Sequence, residues 1–103
     1  RIVGRSKDMF IVGGFNAYPA EIENALLRCP GVDQVAVIGI PDDRMGEVGM
    51  AFVVGDARPD DVMAWAREHM ANYKVPRRVE VLDSLPINAA GKVEKLVLRE
   101  MIS

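Results

Sequence analysis

Apolar and polar positions follow one another along the chain in short blocks, each with its own period. Ile22, Ala25, Leu26 and Cys29 recur at i, i+3, i+4 and i+7, one apolar stripe along a helix. Tyr18-Pro19-Ala20-Glu21 opens that helix, since proline suits the first helical position and an acid favours the positive end of the helix dipole. Pro30-Gly31 stops it. The runs 32–40 and 48–54 are rich in β-branched residues and read as two strands of one sheet, joined by a turn that holds Arg44-Met45-Gly46-Glu47. Pro59-Asp60-Asp61 begins a second helix running to about Ala71, with Val62, Trp65, Ala66, His69 and Met70 on one face. A proline-marked turn over 73–78 and a strand over 79–82 follow. A last helix over 94–102 carries Leu98, Met101 and Ile102 on one side. At the start, the apolar pair Ile2-Val3 and the run 9–12 flank the polar stretch Gly4-Arg5-Ser6-Lys7-Asp8, which predicts a small hairpin ended by Gly13-Gly14. The first apolar pair has no preceding turn or cap, so the chain reads as a fragment of a longer one. The expected architecture is α+β: a small N-terminal β-hairpin and a roughly three-stranded sheet flanked by helices.

Composition narrows this picture. With 103 residues, half of them hydrophobic and 27% charged, the chain lies outside the disordered range and suffices for one domain with a single core. No apolar run approaches the roughly 20 residues of a spanning helix and no signal-peptide pattern opens the chain, so a cytoplasmic setting is expected, with no transmembrane segment. The lone Cys29 ends an apolar stripe and reads as a buried thiol, and His69 has no second His or Cys at ligand spacing, so no metal site is expected. Residues 1–73 hold 7 basic and 11 acidic groups while residues 74–103 hold 6 and 4, leaving a slightly cationic end. The aromatic residues are scattered and mostly fall in apolar stripes, so nucleic acid is not an expected partner.

Two segments could carry chemistry. Gly4-Arg5-Ser6-Lys7-Asp8 followed by Gly13-Gly14-Phe15-Asn16 reads, on spacing alone, as a charged turn and a glycine pair that permits positive φ. The same glycines would let a narrow ligand run close to the backbone. In Leu85-Pro86-Ile87-Asn88-Ala89-Ala90-Gly91-Lys92-Val93, the lysine follows a small-residue loop that leads into a helix. Read in isolation it is a solvated surface lysine; on a mobile loop its ammonium is also a point charge suited to phosphate or carboxylate oxygens.

Taken together, Gly-Arg-Ser-Lys-Asp, Gly-Gly-Phe-Asn-Ala-Tyr-Pro-Ala-Glu-Ile-Glu, Tyr-Lys-Val-Pro-Arg and Leu-Pro-Ile-Asn-Ala-Ala-Gly-Lys-Val resemble, in this order and across the whole chain, the C-terminal domain of acyl-CoA synthetases of the adenylate-forming superfamily. The resemblance implies a mobile C-terminal domain spanning 1–103. Its partner is a large N-terminal domain of the same enzyme that holds the acid pocket and most contacts to ATP and Mg2+. The implied reaction activates a carboxylic acid with ATP to an acyl-adenylate and transfers the acyl group to coenzyme A, the small domain turning to offer one face to each step.

Carried over residue by residue, Lys92 matches the adenylation lysine, Arg5 the arginine near the nucleotide ribose and Lys7 the hinge. Gly13 and Gly14 match the backbone that lines the pantetheine tunnel, with Asn16 on the same loop. Tyr73 and Arg77 match positions that in some relatives meet the nucleotide end of coenzyme A. Met45 stands where an aromatic residue sometimes stacks, and Val75 replaces a basic residue of certain relatives. Lys74, Arg77 and Arg78 supply half of the six basic groups of the cationic end. Without its N-terminal partner the chain is expected to show no ligase activity. Two other readings stay open: an adenylation domain that loads a carrier-protein thiol, and a noncatalytic interaction module.

Overall fold

A computed structural model of the protein describes residues 9–102. In chain order it contains β1 (Phe10–Val12), β2 (Phe15–Ala17), α1 (Pro19–Leu26), β3 (Val32–Asp42), β4 (Gly46–Gly55), α2 (Pro59–His69), a 3-10 turn (Asn72–Lys74), β5 (Arg78–Leu82) and α3 (Lys95–Met101). β4 is the organising strand. It runs antiparallel to β3 along its whole length, from Val32↔Gly55 to Asp42↔Gly46, and parallel to β5 from Met50↔Arg78 to Val54↔Leu82. β1 joins the β5 side of β4 at Val12↔Gly46, and β2 completes the hairpin on β1. The sheet therefore has five strands, three of them forming the expected centre.

The hairpin described at the N-terminal end is formed by β1 and β2. Among the described residues the run ending at Val12 pairs with Phe15–Ala17, through Phe10↔Ala17 and Val12↔Phe15; the expected upstream arm, Ile2-Val3, lies outside the described residues. Gly13 and Gly14 have φ of +56° and +92°, as a two-residue hairpin loop demands, so the chain reverses there at once.

The sheet carries a core on each face. Pro19 fills the first turn of α1, and Ile22, Leu26 and Cys29 are buried as the stripe predicts, with Val62 and Ala66 of α2 beside them against Val37, Ala51 and Val53. On the other face Ala36, Ile38, Ile40, Val48, Met50 and Phe52 pack against Leu85 and against Leu98 of α3. β3 and β4 are nearly continuous apolar runs because both of their faces are covered. In α3 the expected stripe holds at Leu98 and at half-buried Ile102, whereas Met101 is 51% exposed. Seven residues make just under two turns in all, and only one position of that helix is fully buried.

The outer edge of β3 is closed by side chains. Val37 N–H donates to Glu23 Oε2 at 2.8 Å, Glu23 pairs with Lys95 Nζ at 3.0 Å, and Arg99 Nη1 donates to the Gly39 carbonyl at 2.6 Å. These contacts blunt an edge that would otherwise offer free backbone groups to another strand. They also fasten α3 to α1 across β3.

Candidate functional site

The two segments with chemical potential lie in two separate places. The first is an apolar groove of about 600 Å³ on the face of the sheet that carries α2. Val12, Gly13, Met45, Gly49, Tyr73, Val75, Pro76 and Arg77 line the groove, and Val48 borders it although that residue belongs to the core of the other face. Five positions singled out in the sequence, Gly13, Met45, Tyr73, Val75 and Arg77, thus meet from three separate stretches of the chain in one concavity.

Local chemistry explains each placement. Asp42, the last residue of β3, accepts hydrogen bonds from the Met45 and Arg44 N–H groups at 2.9 and 3.1 Å, an Asx turn that sets the β3–β4 corner. Its carboxyl is held below the usual aspartate range, chiefly by the Met45 N–H and further by Arg44 N–H and the nearby Arg77 and Arg44 guanidinium groups. The corner in turn receives the hairpin, because Gly13 N–H donates to the Met45 carbonyl at 2.9 Å. Arg77 is anchored by its backbone N–H on the Gly49 carbonyl at 2.8 Å, and its guanidinium is 4.0 Å from Asp42. More than half of that side chain is exposed, leaving the cation turned to solvent at the groove.

Tyr73 sits on the 3-10 turn, which Lys74 ties to α1 through a 3.0 Å ion pair with Glu21. The hydrogen bond to Glu21 raises the Lys74 pKa. One face of the Tyr73 ring is taken by Phe15, stacked at 4.8 Å between centroids and 17° between planes. Phe15 is 58% exposed and is the more open ring of the pair. Where Met45 offers no π surface, Phe15 does. The sequence reading missed it, together with Asn72, Met63 and Arg67 of the same lining. The available signal was β2 itself: once Phe15–Ala17 is a strand, Phe15 and Asn16 point to opposite sides. Asn16 accordingly lies outside the groove lining, while Gly14 sits at the hairpin tip with open space around its Cα.

The second place is the Lys92 loop. Leu85 before it and Leu98 after it are both buried in the other face's core, so loop and groove are rooted on opposite sides of one sheet. The loop is a hydrogen-bonded turn and not an open excursion. Ile87 and Val93 form a bridge, Glu94 N–H donates to the Pro86 carbonyl at 2.8 Å, and Gly91, at φ +85°, closes a turn by donating to the Asn88 carbonyl at 2.9 Å. The Lys92 side chain is exposed and makes no ion pair among the described residues. Arg5 and Lys7 fall outside the described residues. Cys29 is a free, buried thiol whose pKa burial pushes up, with Asp61 adding to the effect, which suits packing and not nucleophilic attack. His69 is exposed, stacked on Trp65 at 4.2 Å, with Nδ1 2.9 Å from the Trp65 carbonyl.

A family model described as AMP-binding enzyme C-terminal domain matches residues 21–92, which run from α1 to Lys92. The chain belongs to this family. Among relatives of the domain, the (7a-methyl-1,5-dioxo-octahydroindenyl)propanoyl:CoA ligase of Rhodococcus jostii is 60% identical over 96% of this chain and 20% of its own length. A feruloyl-CoA synthase of Amycolatopsis is 51% identical over 91% of this chain and 20% of its own. The solved fatty acyl CoA synthetase of Mycobacterium tuberculosis superposes with a TM-score of 0.84 at 43% identity, covering 91% of this chain and 19% of that one. The AMP-binding C-terminal domain described above thus spans about one fifth of the length of the curated relatives it matches.

Proposed function

We propose that this AMP-binding C-terminal domain completes an ATP-dependent acyl-CoA synthetase, in which a larger N-terminal domain binds ATP, Mg2+ and the carboxylic acid. In the first step Lys92 brings its ammonium to the acyl carboxylate and the α-phosphate. Two anionic groups must meet there, and a cation placed where charge develops lowers the barrier. In the second step the groove face turns inward. Gly13 and Gly14 run beside the pantetheine chain, while Phe15, Tyr73 and Arg77 meet the nucleotide end of coenzyme A. Arg5 and Lys7 keep the ribose and hinge roles that the family resemblance implies.

The observation that carries this reading is the separation of the exposed Lys92 turn from the Gly13–Met45–Tyr73–Arg77 groove by a single sheet with a core on each side. A domain with two such surfaces can serve two half-reactions by turning. The names of the two curated relatives cited, a CoA ligase and a feruloyl-CoA synthase, support free coenzyme A over a carrier-protein thiol as the acceptor. A cytoplasmic setting fits this chemistry, and no helix among the described residues is long and apolar enough to cross a membrane.

The test is Lys92→Ala in the full-length enzyme. Pyrophosphate release on adenylation should fall by roughly 100-fold or more, while thioester formation from supplied acyl-adenylate and coenzyme A keeps its rate. Undiminished adenylation would remove Lys92 from the chemistry. Thioester formation with a phosphopantetheinylated carrier but not with free coenzyme A would replace the ligase reading by carrier loading.

A further inference from the structure

Asn88 makes more hydrogen bonds to the lysine loop than any other residue in it. Its side-chain Oδ1 accepts from Ala90 N–H at 2.9 Å and from Lys92 N–H at 3.1 Å. Its backbone N–H donates to the Lys92 carbonyl at 2.9 Å, and its own carbonyl accepts from Gly91 N–H at 2.9 Å. Both peptide planes that flank the Lys92 Cα are therefore bonded to this one residue. With those planes fixed, the direction of the Lys92 Cα–Cβ bond is fixed as well, and only the side-chain torsions remain for the ammonium to explore. Asparagine at the first position and glycine at the fourth are the residues such a turn favours, but the bond from Oδ1 to the fifth residue goes beyond what the turn itself requires.

We propose that Asn88 is a positioning residue for adenylation: it acts through Lys92, holding the loop in the conformation from which the ammonium reaches the reacting anions. The inference rests on the proposed role of Lys92. Asn88 is exposed and both hydrogen bonds of its Oδ1 stay within the loop, so its removal is expected to act on the loop and not on the fold. Without Oδ1 the loop spreads over several conformations, and the rate falls by the fraction that stays competent. Two exposed hydrogen bonds correspond to a loss of about 5- to 50-fold. Because the lysine acts where charge develops in the transition state, the loss belongs in kcat and not in KM.

The experiment uses the full-length enzyme and follows pyrophosphate release for the first step and thioester formation from supplied acyl-adenylate for the second. Asn88→Ala is expected to lower kcat of adenylation by about tenfold, to leave KM for ATP and acid within about twofold, and to spare thioester formation. Asn88→Asp keeps an acceptor oxygen at the same place and should restore adenylation to within about threefold of the parent. In a Lys92→Ala background, Asn88→Ala should have no further effect, since the residue it positions is gone.

Wild-type adenylation in Asn88→Ala, or an equal further drop in the Lys92→Ala background, overturns the inference and leaves the role of Lys92 standing. If Asn88→Ala loses both half-reactions, the aspartate variant decides: recovery of adenylation supports positioning, and a persistent tenfold loss with the acceptor in place overturns it. Undiminished adenylation in Lys92→Ala alone fails the proposed function first, and this inference with it.

Discussion

Leu98 and Leu96 occupy the same helix two positions apart, with opposite surroundings: Leu98 is fully buried and Leu96 is 76% exposed. Truncating Leu98 to alanine removes the one side chain of α3 that is sunk into the core formed by Ile38, Met50 and Phe52. A buried leucine-to-alanine change costs about 2–5 kcal/mol, because transfer free energy is lost and a cavity remains. The helix has seven residues, too few to persist without docking, so the surroundings have little prospect of collapsing around the gap while α3 stays in place. Taking about 3 kcal/mol and a shift of about 4–8 °C per kcal/mol for a domain of this size, Leu98→Ala should lower Tm by about 12–24 °C. Leu96→Ala should stay within about 0.5 kcal/mol. The assay is thermal unfolding of the 103-residue chain by circular dichroism, where no partner domain can cover Leu96. Equal effects of the two substitutions, or a larger one for Leu96, would refute the docking of α3 and with it the anchorage of the Lys92 loop.

Three further outcomes follow from particular contacts. The depressed pKa of Asp42 means that its carboxylate stabilises the β3–β4 corner above the ordinary value of 3.8 and ceases to do so as pH falls through the lower folded value. The Arg44 and Met45 amide resonances should therefore titrate together below pH 3.8, and an inflection at or above it would remove the two hydrogen bonds from the account. Glu23→Ala leaves the Val37 N–H without its acceptor, and should cost about 1–2 kcal/mol and accelerate exchange of that amide; unchanged exchange would show that the strand edge is closed by something else. Gly13→Ala and Gly14→Ala both impose a side chain at positive φ, at about 1–2 kcal/mol each. Only at Gly13 would the new Cβ come within 2.7 Å of the Met45 methyl, so only Gly13→Ala should shift that methyl's resonance; a shift from both would mean the hairpin has moved as a whole.

What the sequence disclosed depends on how local the responsible physics is. The α1 stripe and the Pro19 start are properties of neighbouring residues, and they appear in the fold as read. The downstream partner of β1 was not read in advance, because two apolar runs flanking a polar stretch also satisfy the hairpin pattern, and the upstream one lies outside the described residues. The Gly-Gly step favoured the downstream partner, but only once both glycines are required at positive φ. The parallel pairing of β5 with β4 depends on a crossover through α2, and no local pattern states it. The groove could be assembled in advance only through the family resemblance, which gathered Gly13, Met45, Tyr73 and Arg77. Phe15 went unrecognised because its partner, Tyr73, lies 58 positions away in the chain. The lysine loop was legible as a site, yet its bonded form was not, although Asn88 and Gly91 were both in view.

The double-cored sheet has an evolutionary corollary. Substitutions that reshape the groove wall are separated from the Lys92-bearing side by a layer of β-strand, with Met45 packed against the cores of both faces. Away from Met45, each surface can then drift under its own selection, so one could change without disturbing the other. Changes in β3 or β4 backbone geometry, or at Met45, would be felt on the two sides at once.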